Sequence, residues 1–220
     1  MRNNPNRVAC IIIETIQGEG GDNYFRPEFL QKLRAICDEN EILLIFDEVQ
    51  TGIGMTGKMW AYQHYEIIPD IISFGKKAQV CGILANKEKL DQIPNNVFKE
   101  SSRINSTFGG NFIDMIRFKL ILEVIEKENL VENACVQGEY FLQKLHELQS
   151  QNPTIKNVRG KGLFIAFDLE NGQLRDEFIR HCFDNQLIVL PCGEKSVRFR
   201  PHLNVTQEQI DQAVEIMKAL

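Results

Sequence analysis

Short apolar runs alternate with helical spacing through the first third of the chain. Residues 8–13 (VACIII), 42–46 (ILLIF) and 70–74 (DIISF) are such runs. Between the first two, Phe29, Leu30, Leu33, Ile36 and Cys37 recur at helical spacing, with Pro27 where its fixed φ suits a first turn. Strands apolar on both faces, separated by helices, predict a parallel sheet covered on both sides. The middle of the chain reads as two long helices. Residues 112–127 place Ile113, Ile116, Leu120 and Val124 on one stripe, and residues 131–148 carry Cys135, Phe141, Leu142, Leu145 and Leu148. Alternation then returns: a strand over 162–169, a helix over 174–185, strands over 187–190 and 197–200, and a last helix capped by Thr206 with Gln209 three residues on. The change near residues 111–116 predicts an α/β chain divided into 1–114 and 115–220.

Charge and composition narrow the function. Lys plus Arg is 25 against 30 Asp plus Glu, a net charge of -5, which argues against binding nucleic acid through its phosphates. The longest apolar runs are far shorter than the about 20 residues a membrane helix needs, so no membrane association is expected. The polar start MRNNPNRVAC lacks the apolar core of a signal peptide. The scattered cysteines contain no CxxC pair, which predicts mostly buried thiols in a reducing cytoplasm and no metal site. His181-Cys182 with Cys192 is a weak ligand set, and the other histidines are isolated.

Three segments carry candidate chemistry. ILLIFDEVQTG puts Asp47 and Gln50 at the carboxyl end of an apolar strand, where open parallel sheets bind ligands. Asp47 either caps a turn or meets a cationic partner there. DIISFGKK puts Lys76 and Lys77 just past another strand. A lysine entering a desolvated cleft is prepared as a Schiff-base nucleophile, whereas two solvated lysines are the commoner outcome. Spacing does not say which lysine enters. NSTFGGN (105–111) opens a helix and reads as a phosphate contact or as a glycine turn with a cap. GIGMTGK (52–58) mimics a phosphate loop, but DEVQT separates it from the strand, and Met59 stands where Ser or Thr would bind magnesium.

Taken together, ETIQGEGGD (14–22), FRPEFL, LLIFDEVQTGIGMTGKMWAYQHY, PDIISFGK, NSTFGGN, VRGKGL and VRFRPHL resemble the class III pyridoxal-phosphate aminotransferases of fold type I. FGKKAQVCG and SRINSTFGGN resemble their L-lysine 6-transaminase subgroup. The resemblance implies that residues 1–114 are the C-terminal part of a cofactor-binding large domain, a mainly parallel sheet flanked by helices. Residues 115–220 would be an α+β small domain. It implies pyridoxal 5′-phosphate as cofactor. Asp47 would hold the ring nitrogen's proton, Gln50 would bond the phenolic oxygen, and Lys76 would be the Schiff-base lysine, with Lys77 a neighbour of no chemical role. Thr107 with Ser106 would reach the phosphate across a homodimer interface. Glu19 and Arg198 would form a gate, the arginine being released to hold a carboxylate of the acceptor. Without the resemblance, Arg198 reads as a surface ion pair.

The implied reaction moves the terminal amine of L-lysine to 2-oxoglutarate, giving 2-aminoadipate 6-semialdehyde and glutamate. Ornithine, 4-aminobutyrate and acetylornithine are alternative donors. Members of that family are much longer than 220 residues, beyond the usual single-domain size. The expectation is therefore a C-terminal half, weakly active or inactive alone, or a non-catalytic fragment that needs a complementary half-chain. An unpaired sheet edge is expected with it.

Overall fold

The computed structural model describes residues 7–104, 107 and 109–218. In chain order the elements are β1 (Cys10–Glu14), β2 (Ile16–Gln17), β3 (Asn23–Tyr24), α1 (Pro27–Glu39), β4 (Leu43–Asp47), β5 (Ile71–Phe74), β6 (Gly82–Ala85), α2 (Lys87–Asp91), α3 (Phe112–Lys127), α4 (Leu130–Gln151), β7 (Lys156–Lys161), β8 (Phe164–Asp168), α5 (Gly172–Asp184), β9 (Leu190–Cys192), β10 (Ser196–Phe199) and α6 (Gln207–Lys218). Short 3-10 turns lie at Ala61–His64 and Lys76–Ala78. The chain forms two compact units. The first takes the described residues up to Thr15 together with Arg26–Gln50 and Tyr62–Val124; the second takes Ile16–Phe25, Thr51–Ala61 and the described residues from Ile125 onward.

The first unit is built on a sheet in the order β1-β4-β5-β6. β1, β4 and β5 run parallel, and β6 closes one edge antiparallel to β5. β1 is the other edge. Pro27 begins α1 because its missing N–H is one that a first turn leaves unpaired anyway. Leu30 and Cys37 of α1 are buried, and α1 packs against β4. Phe29, which shares the helical spacing, is exposed. Leu44 and Phe46 are buried on one sheet face, while Ile12 (63% exposed), Leu43 and Ile83 lie open on the other. The parallel sheet is present, but among the described residues its cover is one-sided. The stripe on α3 also faces outward, with Ile113 68% and Leu120 54% exposed and Ile116 and Val124 exposed beside them; Phe118 instead stacks on Phe74 at 5.5 Å.

The second unit holds an antiparallel sheet in the order β7-β8-β10-β9. Its core face carries Ile165, Phe167, Val197 and Phe199. Phe141 of α4 meets Phe199 edge-on at 5.1 Å, and Phe178 of α5 meets Phe167 at 5.3 Å. α6 packs on α4. Its start is a capping box: the Gln209 N–H donates to Thr206 Oγ1, and the Thr206 N–H donates to Gln209 Oε1. The strand expected over 187–190 begins only at Leu190. Gln186 turns left-handed, and the Leu187 N–H caps α5 by donating to the Cys182 carbonyl, so these residues close the helix. Cys37, Cys182 and Cys192 are buried thiols, but Cys10 and Cys81 are exposed, so burial is less general than expected.

Asp70 fixes the start of β5. Its buried carboxylate accepts the Leu44 N–H at 2.7 Å and Arg34 Nη1 at 2.9 Å, and pairs with Lys89. Burial raises its pKa, but the bonds from Lys89, Leu44 and Arg34 outweigh that and hold it below the ordinary carboxylate value. A depressed folded-state pKa gives stability that is present above the unfolded value and is lost as pH falls through the folded one. Asp70→Asn should therefore cost about 3 kcal/mol at pH 7, the scale for stranding buried partners. Urea unfolding of both proteins at pH 7 and at about pH 3 should show that cost shrinking in acid, because below the ordinary carboxylate value the unfolded chain takes up the proton first.

Candidate active site

The carboxyl ends of β4 and β5 lie side by side. Their parallel register sets Ile45 against Ile71 and Asp47 against Ser73. Paired strands are about 4.8 Å apart at that point, and Lys76 follows three residues beyond Ser73, just past the end of β5. Asp47 is half-buried, and its Oδ1 accepts the Val49 N–H at 2.9 Å. The turn-capping reading of Asp47 is thus realised. It engages one oxygen of a group with about four acceptor positions, so it does not compete with a cationic ligand.

Lys76 is exposed and opens the 3-10 turn with a left-handed φ of 47°. Gly75 before it is buried, and a Cβ there would press on Cys81 Sγ. Lys77, expected only as a neighbour, has a structural bond: its Nζ donates to the Gln50 carbonyl at 2.8 Å. That tie holds the loop after β4 to the loop after β5. Thr107 is exposed. Ser106 lies outside the described residues.

Glu48 escaped the sequence reading. It is fully buried, and its Oε1 accepts from Thr15 Oγ1 at 3.0 Å and from the Tyr62 N–H at 2.8 Å. These bonds join the residue after β1 and the 3-10 turn to the end of β4, directly behind Asp47. The available signal was a second acid at the end of an apolar strand. Burial, then the Glu48 charge, pushes the Tyr65 phenol up to about 12.

The second unit carries the acid–base pair. Glu19 Oε2 meets Arg198 Nη2 at 2.8 Å, with the Glu19 side chain 75% exposed and that of Arg198 only 12%. Arg198 sits mid-sheet on β10, in register with Ala166 and Leu190. Its Nε and Nη1 are buried and find no hydrogen-bond partner among the described residues. A simple surface pair does not bury the cation in this way, and two faces of the guanidinium fork are left with donors to spare. The loop carrying Glu19 turns tightly, with the Gly21 and Asp22 N–H groups donating to the Gly18 carbonyl. Gly21 takes φ 127°, which glycine alone adopts easily. Asp22 is wholly buried; burial lifts its pKa above the ordinary carboxylate value despite Arg200, Arg198 and Arg159 nearby.

The glycine run after β4 is not a phosphate loop. Residues 51–57 are buried turns with left-handed backbone at Ile53, Gly54 and Gly57, and a 3-10 turn follows where a phosphate loop needs an α-helix. The Met55 carbonyl accepts the Leu163 N–H, and a Cβ on Gly162 would overlap Thr56 and Gly57. Among the described residues no group of three or more His, Cys, Asp or Glu is placed to hold a metal ion, and no helix is long and apolar enough to cross a membrane. The donor set at the strand ends fits pyridoxal phosphate: a carboxylate for a ring nitrogen, an amide for a phenolic oxygen and a primary amine for an aldehyde.

Comparison with known proteins extends this chemistry. Residues 1–220 match the family described as aminotransferase class-III. The L-lysine-epsilon aminotransferase of Mycobacterium bovis is 50% identical over 216 residues, which is 98% of this chain and 48% of the relative. The acetylornithine aminotransferase of Caldanaerobacter subterraneus is 37% identical, covering 96% of this chain and 52% of the relative. The solved lysine aminotransferase of M. tuberculosis superposes with a TM-score of 0.95 at 49% identity, covering 99% of this chain and 50% of that one. The chain spans about half the length of the curated relatives it matches.

The buried carboxylate behind Asp47 is testable without any ligand. Glu48→Ala strands the Thr15 hydroxyl and the Tyr62 N–H, so it should lower the unfolding free energy by about 2–4 kcal/mol in urea titrations. A loss within about 0.5 kcal/mol, the usual surface value, would remove its bridging role.

Proposed function

The chain belongs to the class-III aminotransferases, and on that premise we propose that it carries the catalytic lysine and the acceptor gate of a pyridoxal-phosphate-dependent lysine 6-transaminase. The donor is the terminal amine of L-lysine and the acceptor is 2-oxoglutarate. The products are 2-aminoadipate 6-semialdehyde and glutamate. The observation that carries the reading is the register that sets Asp47 against Ser73, three residues before Lys76, at the ends of adjacent parallel strands.

Bound pyridoxal phosphate supplies an electron sink for the pair released at the donor carbon. The chain's residues do the rest. Asp47 keeps the proton on the ring nitrogen, because a fixed anion beside it favours the charged form. The Gln50 amide donates to the phenolic oxygen. The Lys76 amine would hold the cofactor's aldehyde carbon and, when free, would serve as the general base and then the general acid that moves the donor's proton. Thr107 would contact the phosphate of the neighbouring subunit's cofactor in a homodimer, the role also assigned to Ser106. Glu19 masks Arg198 while the amino donor is bound and withdraws when a dicarboxylate acceptor arrives. Arg198 suits that task because its planar fork matches a carboxylate. The cytoplasm is the proposed compartment.

The similarity to an acetylornithine aminotransferase supports a second reading, with another ω-amino donor. Initial rates with L-lysine, ornithine, 4-aminobutyrate and acetylornithine separate the two; lysine should be preferred at least tenfold, a difference of about 1.4 kcal/mol.

Covalent capture tests the site itself. The chain, incubated with pyridoxal phosphate and reduced with borohydride, should carry the adduct on the peptide bearing Lys76. Lys76→Ala should lose it. Asp47→Ala should weaken capture about tenfold or more, the scale of a charge-assisted hydrogen bond. Adduct on Lys77 instead, or spread evenly over surface lysines, contradicts the assignment.

A further inference from the structure

Three arginines share the face of the second unit's sheet opposite its core. The register aligns Arg159 on β7 with Ala166 on β8, and Ala166 with Arg198 on β10. Cross-strand partners point to the same face, so only the small Ala166 side chain lies between the two arginine stems. Arg200 follows at the end of β10 and lies over the Phe164 ring, 3.4 Å from its centroid. Like charges this close need one anion each. Arg159 Nη2 meets Asp168 at 2.8 Å, Arg198 meets Glu19 at 2.8 Å and Arg200 meets Asp22 at 2.6 Å.

The three anions differ in their access to water. The side chain of Asp22 is 0% exposed and that of Asp168 14%, against 75% for Glu19. Only Glu19 can leave its arginine and be hydrated at once. Asp22 would have to carry a charge out of the interior and strand Arg200 behind it. Yet Glu19 and Asp22 belong to one tight loop, so a movement of the first tends to drag the second. Arg159 opposes that. Besides pairing with Asp168, its Nε donates to the Asp22 carbonyl at 2.9 Å and its Nη2 to the Gly21 carbonyl at 2.6 Å. Arg159 makes no such bond to Glu19 or Gly20. Glu19's carbonyl instead accepts the Gly193 N–H.

We propose that Arg159 is a positioning residue of the acceptor gate: it clamps the backbone of Gly21 and Asp22, so that Glu19 alone departs and a single cation, Arg198, is offered to the substrate carboxylate. This rests on the reading of Glu19 and Arg198 as the gate. The clamp also preorganises Glu19 on Arg198 while the gate is shut, which raises the barrier to any competing carboxylate.

Glutarate, a dicarboxylate of the acceptor's length without the reactive carbonyl, is the probe, with binding to the full chain read by calorimetry. Glu19→Gln should tighten glutarate and Arg198→Gln should abolish its binding. Arg159→Lys keeps the charge on Asp168 but loses the fork. It should tighten glutarate about fivefold in the wild-type background, the size of a modest coupling between neighbouring charged groups, and leave it unchanged in the Glu19→Gln background. An equal effect in both backgrounds, or none in either, overturns the clamp. Unchanged binding in Arg198→Gln, or none in wild type and Glu19→Gln alike, overturns the gate reading instead. Hydrogen exchange on the unsubstituted chain gives a second answer. Glutarate should speed exchange at the Glu19 and Gly20 amides and leave Gly21 and Asp22 slow; acceleration across all four contradicts the clamp.

Discussion

The register between β4 and β5 is the constraint on which the candidate site depends. A parallel pair has no turn to set its alignment, so other interactions must. Asp70 does so here: one carboxylate takes the Leu44 N–H of β4 from a position just before β5, while Arg34 of α1 and Lys89 of α2 neutralise it. With that end fixed, the strands run out together and Asp47 arrives beside Ser73. A slip of one residue would send Asp47 to the other face and Glu48 into its place. Glu48 guards against this from behind, bound to Thr15 and the Tyr62 N–H.

The two units divide the chemistry by physical type. The first offers polar groups at strand ends, where backbone geometry fixes them and short loops can approach a ring. The Lys77 bond to the Gln50 carbonyl ties those loops together without engaging the Asp47 carboxylate or the Lys76 amine. The second offers charge on a sheet face, where every buried cation has an acid and only one of those acids is solvated. That asymmetry is what the proposed gate would use, with Glu19 as its one movable part. The chain belongs to the class-III aminotransferases, and the proposed transamination would use both arrangements, since it needs an electron sink in one place and a carboxylate holder in another.

Periodicity revealed the elements whose burial is simple. Pro27–Glu39 and Phe112–Lys127 could be read to their ends, because proline marked one start and an asparagine–glycine turn the other. β7 escaped because KNVRGK offers a single large apolar side chain, Val158, to the core among its charged and polar neighbours, too little to show an alternating pattern. Residues 187–189 have strand composition but are diverted by the closing bonds of α5. The α3 stripe was legible as a pattern, yet a pattern does not say what covers it. Among candidate site residues, Asp47 stood at a recognisable strand end and Lys76 just past another, whereas Arg198, inside β10, was marked only by the family resemblance. Asp22 and Arg159 did not stand out, because their partnership spans 137 positions of sequence and only folding brings them together.

The central claim is that the carboxylate at Asp47 and the amine at Lys76 serve one pyridoxal phosphate ring. The nitrogen-15 resonance of the ring nitrogen, in cofactor labelled at that atom and bound to the chain, reports it directly. The account predicts a protonated pyridinium signal that shifts to neutral pyridine in Asp47→Asn while Lys76 still holds the cofactor. The same signal in both proteins would contradict it.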